Sequence, residues 1–228
     1  MSPPPPLETF PALDALPGLV HGFVLRHPAI DVDTDREIAL SRLASHYEEA
    51  LEDCLAVEFS DLWTGEQVHD CRIAHCNSGD DTPAPESRHW SDTDGLITGR
   101  SGHYLGIYVA DCCAVYLVDP VNRACALVHS GKKGTELGIA PRALSQMQER
   151  FGSDPARMIV QLSPCIRPPA YEIDFAARIR SDCAAAGVPE RQIHDPGTCT
   201  SRDLKRYYSY RAEKGRTGRH LAVLGWRA

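Results

Sequence analysis

His69, Cys112 and His129 are the residues of this chain best suited to do chemistry. Two imidazoles and a thiolate make a good donor set for a divalent zinc ion, and three protein ligands leave a fourth position for water or substrate. A structural zinc normally takes four protein ligands, so this set describes a catalytic site. Cys112 follows an apolar run at 104–110, and His129 follows another at 123–128. His69 closes the segment Glu66-Gln67-Val68-His69. Strand ends bring ligands together on a rim while the strands hold them rigid. Separations of 43 and 17 residues are too long for a local motif. Spacing alone therefore leaves open structural histidines and a buried, inert cysteine.

A second chemical feature follows the last of these residues. His129-Ser-Gly-Lys-Lys-Gly-Thr135 places two lysines and two glycines directly before a helical stretch. Backbone N–H groups at a helix start, with lysines beside them, suit an anion. The spacing is not that of a Walker loop. A turn with solvated lysines is the alternative.

The elements that must position these residues follow from pattern. Residues 19–25 read as a strand, and 36–54 as an amphipathic helix with Leu40, Leu43, Tyr47, Leu51 and Cys54 on one face. Runs at 104–110, 113–118 and 123–128 read as three strands. Asp119-Pro-Val-Asn122 makes the last two a hairpin. Leu144, Met147 and Phe151 mark a helix that ends near Gly152, and 157–162 is a further strand. Asp174 is a plausible N-cap for a helix that stops at Gly187. Residues 220–226 form the last strand, and 77–92 a long surface loop. The order is mixed rather than alternating. It predicts an α+β single domain over 11–228 with mixed sheets and flanking helices, after a Pro-rich disordered tail over 1–10.

Composition narrows the function. The 228 residues carry 43% apolar side chains and a formal charge of −7, which argues against non-specific nucleic-acid binding. The charge is uneven: residues 200–228 hold eight Lys/Arg and two Asp/Glu. Such a segment can meet a phosphate or form a solvated face. Nine cysteines without a Cys-x-x-Cys pair fit a reducing cytoplasm better than a disulfide framework. No apolar run is long enough for a membrane span, and Met1-Ser-Pro-Pro-Pro-Pro6 lacks the features of a secretory signal.

Several motifs occur together and in order. They are Gln67-Val-His69, Thr93-Asp-Gly-Leu-Ile-Thr98, Val109-Ala-Asp-Cys112, Val128-His-Ser-Gly131, Pro164-Cys-Ile166 and Tyr171-Glu172. Cys199-Thr200, Tyr208-Ser-Tyr-Arg211 and Thr217-Gly-Arg219 complete the series. The chain thereby resembles the laccase-domain proteins, once called multicopper polyphenol oxidases, over roughly residues 20 to 226. The resemblance implies a sandwich domain that binds zinc through His69, Cys112 and His129. It implies purine nucleoside chemistry: phosphorolysis of adenosine- and inosine-type nucleosides, or adenosine deamination. Other readings are removal of wrong amino acids from peptidoglycan precursors, copper oxidase chemistry and a non-enzymatic zinc protein. Copper is disfavoured because Met1, Met147 and Met158 all lie away from the three ligands in sequence.

The resemblance also distributes roles. Asp111 and Glu172 are the carboxylates available for acid/base work in deamination. Lys133 sits at the family's basic position and is assigned to phosphate, with Arg26 and Arg211 as further candidates. Lys132 and Lys133 stand where the family usually has an aromatic and then a basic residue. The partners implied are a small-molecule nucleoside and phosphate, with no nucleic acid and no membrane.

Overall fold

The computed structural model describes residues 7–76 and 88–228. Twelve strands form two six-stranded mixed sheets. The first sheet has the order β1 (Leu7–Glu8), β2 (Leu19–Val24), β12 (His220–Trp226), β7 (Tyr104–Val109), β3 (Leu62–Gly65), β5 (His89–Trp90). The second has β11 (Ile193–His194), β10 (Ile159–Leu162), β8 (Cys113–Asp119), β9 (Ala124–Ser130), β6 (Gly95–Thr98), β4 (Ile73–His75).

Alternation along the strands builds four layers. In β8, Cys113, Val115 and Leu117 face helices α4 (Ile139–Phe151) and α5 (Phe175–Ala185). Ala114, Tyr116 and Val118 face the other sheet instead. The first sheet repeats the pattern: Leu105, Ile107 and Leu224 point between the sheets, while Val20, Leu221 and Val223 pack under α2 (Arg36–Glu49). All of β6, β8, β9 and β12 is buried, because each strand is covered on both faces.

The expected α+β sandwich with mixed sheets is the one observed, and so is the hairpin of β8 and β9. Asp174 caps α5 by accepting from the Ala177 amide, and Gly152 ends α4 at φ 68°. The helix expected over 36–54 is α2 followed by a wider, π-type turn at Ala50–Leu55. Two expectations need correction. The tail assigned to 1–10 overlaps β1, which pairs with β2, and Phe10 is buried between the sheets. The loop assigned to 77–92 ends in β5, and residues 77–87 lie outside the described residues. Among the described residues no helix is long and apolar enough to cross a membrane.

The inter-sheet layer is the part of this core that reaches the site, since His129 continues the face that carries Cys125 and Leu127. Leu127→Ala removes a fully buried side chain there. It should cost about 2–5 kcal/mol of unfolding free energy, measured by urea denaturation.

Candidate metal centre

Among the described residues three links carry the chain from the first sheet into the second: β3 to β4 holds His69, β5 to β6 holds Asp94, and β7 to β8 holds Cys112. His129 lies within β9 opposite Ala114, so it belongs to the strand and does not follow it. The three side chains meet at this rim, with their ligand atoms all within 4.8 Å of one another. Tetrahedral zinc with bonds of about 2.0–2.3 Å needs ligand atoms roughly 3.5 Å apart, so a small inward closure completes the set.

Asp94, just before β6, organises two of the three ligands. Its carboxylate is fully buried. Oδ1 accepts from the His69 amide at 2.9 Å, and Oδ2 from the amides of Val68 and Asp70 at 3.1 and 2.8 Å. Oδ1 also pairs with Nδ1 of His129 at 2.8 Å, leaving Nε2 for the site. Burial alone would raise the Asp94 pKa, but these donors hold it below its ordinary value. The left-handed backbone of His69, at φ 62°, is tolerated because three consecutive amides are tied down. Gln67 fastens the same loop to β7, donating to the Tyr108 carbonyl and accepting from its amide.

Asp111 performs the corresponding task for Cys112. It has φ 77° at the turn into β8. Its carboxylate accepts from Thr200 Oγ1 at 2.6 Å and from the Arg211 amide at 2.7 Å. Both oxygens are therefore engaged in fixing the turn, which suits positioning of Cys112 better than proton transfer. Gly131 leaves room for the thiol, since a Cβ there would lie 2.5 Å from Cys112 Sγ.

The thiol and imidazole exchange a proton. Burial opposes ionisation of Cys112, but His129 and His69 outweigh it and bring the thiol from 9.0 to about 6. Burial likewise opposes protonation of His129, but Cys112 and Asp94 outweigh it and raise the imidazole from 6.5 to about 9. The lowered thiol contributes stability that is fully present above pH 9.0 and lost as pH falls through about 6. The raised imidazole contributes stability fully present below pH 6.5 and lost as pH rises through about 9. The two slopes offset, because folding passes a proton from sulfur to nitrogen without changing the number bound. A thiolate ready at neutral pH is what a zinc ligand set requires.

The ligands line a cleft of about 830 Å³. Lys133, Glu172 and Arg211 also line it, as the sequence suggests. Glu172 is committed to an ion pair with Arg211 at 2.6 Å, and the Arg211 guanidinium lies 4.8 Å from the Tyr171 ring centre. Arg26 does not reach the cleft. It pairs with Glu213 at 2.8 Å and lies over the Tyr208 ring, so its charge is engaged outside the cleft and away from any phosphate bound there. Asp94, Arg36, Lys214 and Arg219 were not singled out from sequence. Asp94 and Arg219 do lie inside matched motifs, Thr93-Asp-Gly95 and Thr217-Gly-Arg219; Arg36 and Lys214 carry no such signal.

Two outcomes test this geometry. Asp94→Asn replaces an acceptor facing backbone amides with a donor. Metal affinity should fall about 10- to 100-fold in a competitive chelator titration, with the fold retained by circular dichroism. In chelator-treated protein, Cys112 alkylation should have its midpoint near pH 6, and His129→Ala should move it towards the ordinary thiol value, as read by peptide mass mapping.

The family model described as multi-copper polyphenol oxidoreductase laccase matches residues 41–178 and 173–227. The chain is 25% identical over 224 residues to purine nucleoside phosphorylase YlmD of Bacillus subtilis, covering 85% of this chain and 78% of that one. It is 30% identical over 164 residues to purine nucleoside phosphorylase YlmD of Geobacillus stearothermophilus, covering 59% of this chain and 60% of the relative. The crystal structure of Bacillus licheniformis YfiH superposes with a TM-score of 0.83 at 23% identity, over 99% of this chain and 98% of that one, and shares the fold. Matched over most of its length by that family model, the chain belongs to the multi-copper polyphenol oxidoreductase laccase family.

Proposed function

We propose that the protein is a zinc-dependent purine nucleoside phosphorylase. The observation that carries this reading is one cleft that combines the His69–Cys112–His129 cluster, a surplus of basic side chains and exposed aromatic surface. The names of the curated relatives support the reaction class.

Two imidazoles and a thiolate fit zinc, which when bound acts as a Lewis acid on whatever group enters the site. Blue copper also accepts two His and one Cys, usually with an axial Met. Met147 and Met158 are instead buried against the helices in the core, which favours zinc.

The rest of the proposal concerns the chain's own residues. Lys132 and Lys133 open the short helix α3 (Lys132–Glu136) and line the cleft beside His129. They would hold the attacking phosphate and set its charge against the ribose. Tyr210 is 55% exposed on the cleft wall and offers a flat face to a purine ring. Phosphorolysis asks for cations and asks little of carboxylates. Deamination asks for a free carboxylate near the metal; Asp111 and Glu172 are both engaged, which leaves Glu136 as the one uncommitted acid among the described lining residues, against six bases. That contrast favours phosphorolysis.

The test is incubation of the zinc-loaded protein with adenosine or inosine, with and without phosphate, followed by chromatography. Free base that appears only with phosphate is expected. Inosine formed from adenosine regardless of phosphate would overturn the reading in favour of deamination. Lys133→Ala should raise KM for phosphate about tenfold or more, the worth of one charge-assisted hydrogen bond.

A further inference from the structure

We propose that Arg36 and Arg219 form a second anion subsite in the cleft, and that the substrate class is a purine nucleoside bearing a 5′-phosphate. The proposal rests on the purine nucleoside reading above and narrows it.

Arg36 is an exposed cation at the cleft, set between the N-cap Asp35 and Glu37 at the start of α2. It is the first residue of α2, where the helix dipole presents partial positive charge and disfavours a cation. Its side chain makes no hydrogen bond or ion pair with another described residue, and it lines the cleft. Its charge is felt by Arg219. Arg219 is half-buried, donates to the carbonyls of Thr217 and Gly218 at 2.8 and 2.9 Å, and lies over the Tyr210 ring at 5.7 Å. Among the described residues no carboxylate pairs with it. Burial and the Arg36 charge both push its pKa below the ordinary arginine value, although a guanidinium stays charged at any physiological pH.

The charge count of the cleft points the same way. Six basic and three acidic side chains line it, a surplus of three before any metal ion is counted. Asp111 and Glu172 are engaged locally, which leaves Glu136 as the only uncommitted acid among the described lining residues. One phosphate brings about −1.5 to −2. Bound beside Lys132 and Lys133, it leaves about one of the three surplus charges unmatched before any metal ion is counted, with Arg36 and Arg219 still without a carboxylate partner among the described residues. A second phosphate, carried on the substrate, supplies an anion for that pair.

The reaction stays balanced. An oxygen of hydrogen phosphate bonds to C1′ as the C1′–N9 bond breaks. The electron pair leaves with the base, which takes up the proton that hydrogen phosphate gives up. The sugar product then carries phosphate at both C1′ and C5′.

The test is isothermal titration calorimetry of the zinc-loaded protein with adenosine and with adenosine 5′-monophosphate at one fixed salt concentration. The monophosphate should bind about tenfold or more tightly. Arg36→Ala should abolish most of that preference. Its unfolding midpoint should stay level or rise, because the helix start loses an unfavourable charge. Arg157→Ala, an exposed change outside the cleft, should keep the preference. Adenosine binding with no preference for the monophosphate would overturn the subsite and leave the nucleoside reading intact. Failure of both ligands to bind would overturn the nucleoside reading itself. A raised KM for inorganic phosphate in Arg36→Ala, without any preference for the monophosphate, would assign the arginines to the attacking phosphate and overturn the proposal.

Discussion

The buried carboxylate of Asp94 is the constraint on which the site depends. A charge with no solvent exposure is tolerable only if its lone pairs are satisfied. Here the donors are three consecutive amides of the His69 loop and the His129 ring, so desolvating the charge is what forces the two ligands together. The backbone of the same residue adds a further tie, its carbonyl accepting from the His129 amide at 2.7 Å. Asp94 therefore couples the His69 link, the start of β6 and the end of β9. Without it, the left-handed turn at His69 has little to offset its strain.

The sandwich supplies the other half of the arrangement. Each time the chain leaves the first sheet for the second, it turns at the same rim, and each turn contains a non-glycine residue with positive φ. An acidic side chain pins both of the turns that carry a ligand: Asp94 holds the one at His69, and Asp111 is itself the strained residue before Cys112. Strand rigidity then does for Cys112 and His129 what a local motif does elsewhere. The ligands can be 43 and 17 residues apart in sequence because the two sheets bring them together.

This explains what was legible beforehand. Long apolar runs announced β7, β8, β9 and β12, and the caps Asp174 and Gly152 marked helix ends, because those signals are local. The strands β3, β4, β5, β6 and β11 have two to four residues each, too few for a period of two to register. The three ligands could be named from residue type and motif order. Asp94 could not be given a role, since an Asp-Gly pair reads locally as a turn and its partners are 24 to 35 residues distant. Arg26 misled for the same reason in reverse. Its partner Glu213 lies 187 residues away, and only the fold shows that its charge is spent.

The cleft's positive charge also arises only in the fold. A chain with seven more acidic than basic side chains lines this one cavity with twice as many bases as acids. Those bases come from the start of α2, from α3 and from the loops before β12. The basic segment after residue 200 therefore splits in use: Arg206 pairs with Glu8 and Arg216 with Asp33, while Arg211, Lys214 and Arg219 turn to the cleft. Placing like charges together costs stability in the free protein, a cost that a bound anion offsets. Lys132 and Lys133 fit this logic: they open α3 beside His129 and put two of the six positive charges next to the metal ligands, where apolar side chains would leave the cleft without them.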